Sequence, residues 1–106
     1  MLRAAVVGLG WWGKQIISYL NTSQYIKVTH GVDLQVDQYS EFIKLNHLVA
    51  VKNLDDVLSL QDVDAVILVT PHRFHEEQAL KIIASGKHIF CEKPLALSSI
   101  GAKKII

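Results

Sequence analysis

The stretch Val6-Val7-Gly8-Leu9-Gly10-Trp11-Trp12-Gly13 decides the fold of this 106-residue chain. An apolar run, Leu2 to Val7, reads as a strand buried on both faces and ends in Gly8-x-Gly10-x-x-Gly13, and a helical pattern from Trp12 to Leu20 follows. Glycines at this spacing, set between a strand and a helix, form a phosphate-binding turn. Gly8 permits the tight turn, Gly10 lets a pyrophosphate approach the backbone, and Gly13 lets the helix pack closely on the strand. The helix N-terminus adds free N–H groups, those of Trp11 and Trp12 among them, while their indoles pack as lids or core.

Working outward, Asn21-Thr22-Ser23 ends the helix and Ile26 to Asp33 reads as a second strand, closing a βαβ unit on an acidic residue twenty positions beyond Gly13. Asp37 to Asn46 is expected to be one helix with Tyr39, Phe42, Ile43 and Leu45 inward. Val49 to Val51 is a short third strand, and Asn53 or Asp55 caps a brief helix through Leu60, with Asp56 in its first turn. Ala65 to Val69 is a fourth strand stopped by Thr70-Pro71. A helix from Arg73 to Ser85 follows, with Ala79, Leu80, Ile83 and Ala84 at helical spacing and Gly86 as its stop. His88 to Cys91 is a fifth strand. Strands alternating with helices predict an α/β fold, a Rossmann-like doubly wound parallel sheet in three layers. That fold has six strands, whereas five are visible and the chain stops within a helical pattern begun near Ser98. We therefore expect residues 1–106 to be one dinucleotide-binding domain, the N-terminal part of a longer protein.

Composition narrows the function. Eleven Lys and Arg against ten Asp and Glu give a net charge of +1, with no basic cluster, so nucleic acid is not an expected partner. The apolar stretches are too short to cross a bilayer, and Met1-Leu2-Arg3 leads into a strand, not a secretion signal, so a cytoplasmic location is expected. The single cysteine, Cys91, lies in an apolar run and reads as a buried, inert thiol.

In open α/β sheets, ligands bind beyond the carboxyl ends of the strands. Four segments converge there: the glycine loop, Asp33, Thr70-Pro71-His72 and Glu92-Lys93-Pro94. Asp33 is the expected acceptor for the adenosine ribose hydroxyls and repels a 2′-phosphate; Leu34 follows it instead of arginine, so NAD is favoured over NADP. Lys93 offers an ammonium able to hydrogen-bond a substrate oxygen and stabilise charge developing there, with Glu92 beside it to orient it. His72 and His75 stand one helical turn apart, yet no third ligand of matching spacing accompanies them, so they are read as lining the cofactor cleft and no metal is expected.

Taken together, Ala5 to Gly13, Thr70-Pro71-His72-Arg73-Phe74-His75 and Gly86 to Ala96, which includes Glu92-Lys93-Pro94, resemble the Gfo/Idh/MocA oxidoreductase family over essentially the whole chain. The Glu-Lys-Pro element gives this resemblance its specificity. It implies that Lys93 lies by the nicotinamide and the substrate as a catalytic residue, and that Thr70, Pro71, His72, Glu92 and Pro94 border the cofactor; His72 stands where many members carry asparagine. It further implies hydride transfer to or from a sugar, polyol or related alcohol, and a C-terminal domain supplying substrate contacts and much of a homo-oligomer interface. Two other classes share the glycine loop: a non-catalytic NAD(H) sensor, for which Lys93 has no chemical use, and an S-adenosylmethionine site, against which the Glu-Lys-Pro element argues.

Overall fold

The computed structural model describes residues 2–69 and 75–91, the side chains of His75 and Cys91 excepted. The elements run β1 (Leu2–Val7), α1 (Trp11–Leu20), β2 (Ile26–Val32), a 3-10 turn (Val36–Tyr39), α2 (Ser40–Leu45), β3 (Val49–Val51), α3 (Leu54–Leu58), β4 (Ala65–Leu68), α4 (His75–Ala84) and β5 (His88–Cys91). All four strand pairings are parallel and the sheet order is β3-β2-β1-β4-β5. The chain winds outward from β1 through β2 to β3, then returns to lay β4 on the other side of β1. The reversal point, where open sheets of this kind bind ligands, therefore lies between β1 and β4.

The three layers follow from strand alternation. In β1, Ala4 and Val6 face one way, and Ala5 and Val7 the other; in β4, Ala65 and Ile67 oppose Val66 and Leu68. The first set packs with Ile17 of α1 and Ile43 of α2, the second with Val57 of α3 and Ala79 and Ile82 of α4. Small residues at Ala4, Ala5 and Ala65, all fully buried, let helices approach both faces of the central strands.

β2 departs from simple alternation. Ala4 pairs with Val28 but Ala5 pairs with His30, so Thr29 is an extra residue in the ladder. This bulge reverses the parity of everything beyond it. Val28 joins the α1 face and Val32, four residues on, joins the opposite one. Gly31 is thereby brought beneath Leu9, whose two terminal methyls would lie 3.2 Å from any Cβ at that position. His30 is buried, with Thr29 Oγ1 2.7 Å from its Nδ1, and desolvation lowers its pKa below the ordinary 6.5. The unfolded chain thus takes up a proton at higher pH than the folded one. The His30 contribution to stability is fully present above about pH 6.5 and is lost as pH falls toward the depressed folded value. Urea unfolding between pH 7.5 and 5.5 is expected to show this decline, and the slope should flatten in His30→Gln; an identical slope in both proteins would remove His30 as its source.

Several expected boundaries shift. α1 begins at Trp11, α3 ends at Leu58, β2 at Val32 and β4 at Leu68. The single helix expected over Asp37 to Asn46 is a 3-10 turn followed by a six-residue α-helix. The tighter 3-10 winding changes the phase of the apolar positions, so Leu45 is 72% exposed and Leu48 fills the core in its place, while Tyr39, Phe42 and Ile43 pack inward as expected. On α4 the buried positions are Ala79 and Ile82, whereas Leu80, Ile83 and Ala84 are exposed. Asn53 occupies the N-cap of α3 without a side-chain capping bond. Gly86 ends α4 with φ +84°, the left-handed conformation that favours glycine. Among the described residues, no helix is long and apolar enough to cross a membrane.

Candidate dinucleotide-binding site

At the carboxyl ends of β1, β2 and β3 lies an open cleft of about 510 Å³, walled by Gly8, Gly10, Asp33, Leu34, Tyr39 and Lys52 among others. That volume is of the size used for small-molecule and cofactor sites. Four of the sequence-derived segments were expected at this rim, and the structure brings the glycine loop and Asp33 together there. Thr70, Pro71, His72, Glu92, Lys93 and Pro94 lie outside the described residues, as do the side chains of His75 and Cys91.

Each loop glycine has a distinct physical ground. Gly8 adopts φ +102°, which a side chain would strain. A Cβ on Gly13 would stand 1.8 Å from the carbonyl oxygen of Gly8, inside any permitted contact, so this residue allows α1 to start directly against β1. Around a Cβ at Gly10 there is nothing within 4 Å. The protein itself makes no demand for glycine there, and the open space is what close approach of a ligand requires.

The N-terminus of α1 is prepared for an anion. Gly10 occupies the N-cap and supplies no side-chain cap, and the first turn holds no acidic residue. Lys14 N–H donates to the Gly10 carbonyl at 3.0 Å, which starts the helical ladder. The N–H groups of Trp11, Trp12 and Gly13 precede that bond, and helix geometry leaves them without intrahelical acceptors. With the positive end of the helix dipole at the same place, they suit a pyrophosphate. The indoles of Trp11 and Trp12 are 72% and 48% exposed and stack on each other at 5.2 Å. They are not core residues, which leaves them at the surface beside the loop.

Asp33 is half-buried at the end of β2. Its Oδ2 accepts from Leu9 N–H at 2.9 Å and its Oδ1 from Gln35 N–H at 2.8 Å. A carboxylate offers about four lone-pair sites, so capacity remains for ribose hydroxyls. Tyr39, also on the cleft wall, is held by Lys14, whose Nζ lies 4.9 Å from its ring centroid and 5.7 Å from that of Phe42.

Sequence reasoning did not assign Tyr39, expected only to face inward, or Lys52 to the cleft, nor Leu9 and Gly31 to the support of its loop. Leu9 occupies an unspecified position of the glycine motif, yet it is fully buried and anchors the loop in the α1-side core. A signal for Gly31 was available, since glycine within a strand marks a close approach.

Comparison with known proteins agrees with this geometry. A family model described as "Oxidoreductase family, NAD-binding Rossmann fold" matches residues 2–106. The inositol 2-dehydrogenase of Klebsiella pneumoniae (strain 342) is 35% identical over 99% of this chain and 32% of its own length. The 2,7-anhydro-N-acetylneuraminate hydratase of Escherichia coli (strain K12) is 33% identical over 92% of this chain and 26% of its own. Among solved structures, scyllo-inositol dehydrogenase from Lactobacillus casei, with bound NAD(H) and scyllo-inositol, superposes with a TM-score of 0.87 at 28% identity, covering 99% of this chain and 32% of that one. The chain thus spans about a third or less of the length of these relatives. With its glycine loop, its strand order and a family match over nearly every residue, this chain belongs to the Gfo/Idh/MocA oxidoreductase family and is an NAD-binding Rossmann fold.

Proposed function

We propose that this chain is the cofactor-binding part of an enzyme that moves a hydride between nicotinamide and a hydroxyl-bearing carbon of a sugar, polyol or related alcohol. The observation that carries the reading is the joining of the glycine loop, through Gly8 and Gly10, and the Asp33 carboxylate on one cleft, with the uncapped N-terminus of α1 following directly on Gly10. The amides of Trp11, Trp12 and Gly13 would hold the pyrophosphate, with Gly10 open to its approach and Gly8 and Gly13 setting the turn. Asp33 would accept from the adenosine ribose and disfavour a 2′-phosphate, so NAD is the preferred cofactor. When bound, the nicotinamide supplies the hydride acceptor or donor.

Lys93 stands two residues beyond the end of β5 in sequence. Its ammonium is assigned to the substrate oxygen, holding the proton there and countering charge. Thr70, Pro71, His72, His75, Glu92 and Pro94 are assigned to the border of the cofactor. Residues 1–106 are read as one domain, with substrate contacts and any homo-oligomer interface belonging to a further part of the whole protein. The names of the relatives support polyols and sugar acids as the first compounds to try.

The test is NAD-linked oxidation of inositols and related polyols by the whole protein, beside its Lys93→Met variant. The variant is expected to lose about 100-fold or more in kcat, the size typical of a lost acid–base or charge-stabilising group, while NADH affinity changes by less than about threefold. Undiminished turnover in Lys93→Met would exclude the assigned role.

A further inference from the structure

The Asp33 carboxylate has work in the free protein, before any ligand arrives. The glycine loop is tied to β2 at two successive amides: Gly8 N–H donates to the Val32 carbonyl at 2.8 Å and Leu9 N–H to Asp33 Oδ2 at 2.9 Å. Asp33 is in turn rigidly mounted. Its own N–H donates to Val51 O at 3.0 Å, its carbonyl accepts from Val36 N–H at 3.0 Å, and its Oδ1 accepts from Gln35 N–H at 2.8 Å. We infer that Asp33 is the positioning residue of the phosphate-binding loop: through the Leu9 amide it sets the loop in its binding conformation, independently of any contact with ribose.

The Leu9 side chain is fully buried, so its amide cannot swing out to water without pulling an apolar group from the core. A buried N–H deprived of its acceptor is costly, and an ionised acceptor makes the stronger bond. The consequence for cofactor choice runs against simple charge reasoning. If Asp33 served only to repel a 2′-phosphate, its neutralisation would improve NADPH binding. As the loop's latch, its loss weakens the pyrophosphate site that NADH and NADPH share. For binding, this rests on the dinucleotide reading above; for the free protein it rests on the two hydrogen bonds alone.

Asp33→Asn and Asp33→Ala test it by amide hydrogen exchange on the cofactor-free protein and by NADH and NADPH titration. Asparagine keeps the shape but offers one acceptor oxygen to two N–H donors. Leu9 N–H exchange is expected to rise about tenfold or more in Asp33→Ala and to rise in Asp33→Asn, while the amides of Val6 and Ile67 in the central strands stay unchanged. Neither variant should bind NADPH more tightly than the parent does. Unchanged Leu9 exchange in Asp33→Ala, acceleration spread equally to Val6 and Ile67, or NADPH binding tightened by either variant would overturn the inference. Should the parent bind neither dinucleotide, the functional reading falls while Leu9 exchange still decides the latch.

Discussion

Gly13→Ala is expected to abolish measurable NADH binding, a loss of about 100-fold or more, and to destabilise the fold by about 3 kcal/mol, the upper end for overpacking. The new methyl would stand 1.8 Å from the Gly8 carbonyl oxygen, and that oxygen is backbone, so no side-chain rotation relieves the clash. Either α1 withdraws from β1 or the loop opens. Both outcomes move the helix N-terminus away from the place where the amides of Trp11, Trp12 and Gly13 meet an anion. Circular dichroism should still report a folded α/β protein, because the clash is with the Gly8 backbone at the β1–α1 junction, while the apolar side chains of both cores are unaltered. Wild-type affinity for NADH in Gly13→Ala would mean that this packing does not govern the site.

Leu9→Ala has a comparable expected effect through a different route. Leu9 is among the largest fully buried side chains and packs in the cluster with Val6, Ile17 and Leu48. Its truncation should cost about 3 kcal/mol by urea unfolding, within the range for a buried leucine, and should loosen the loop whose amide it carries. Gly31 makes the assignment specific. A Cβ at Gly31 would press on both Leu9 methyls at 3.2 Å and lie 3.5 Å from Leu48. Gly31→Ala alone is therefore expected to destabilise, whereas in the Leu9→Ala background the same methyl fills part of the vacated space and should be neutral or stabilising. Additive losses in the double variant would show that the two positions do not share this contact.

Much of this architecture is legible from residues alone, and the reasons are local. The β1-to-α1 transition is written in three glycines: Gly8 by its φ angle and Gly13 by its packing exclude a side chain, while Gly10 leaves open space for a ligand. β3 and β5 coincide with the expected runs because short segments rich in β-branched or aromatic residues, following turn residues, have few alternatives. Placement of Asp33 beside the loop follows from its spacing in the βαβ unit. What escaped was set by tertiary context. No periodicity announces the extra residue at Thr29, yet it decides which face Gly31 and Val32 serve. The apolar positions of residues 37–46 fit one helix as well as a 3-10 turn and a short helix, and only the latter leaves Leu45 in solvent. Leu9 was invisible because a motif that names glycines says nothing of the residue between them, although that side chain anchors the loop and its amide reaches Asp33.

On the proposed reading, the α1 N-terminus and Asp33 form one dinucleotide site. The most direct measurement is a fluorescence titration with NADH and NADPH in parallel. Trp11 and Trp12 are the only tryptophans in the chain, and both sit exposed at the start of α1. Saturable quenching by NADH, at concentrations at least about tenfold below those needed with NADPH, is the expected result. Absence of quenching by either dinucleotide, from a sample whose circular dichroism shows the folded protein, would contradict it.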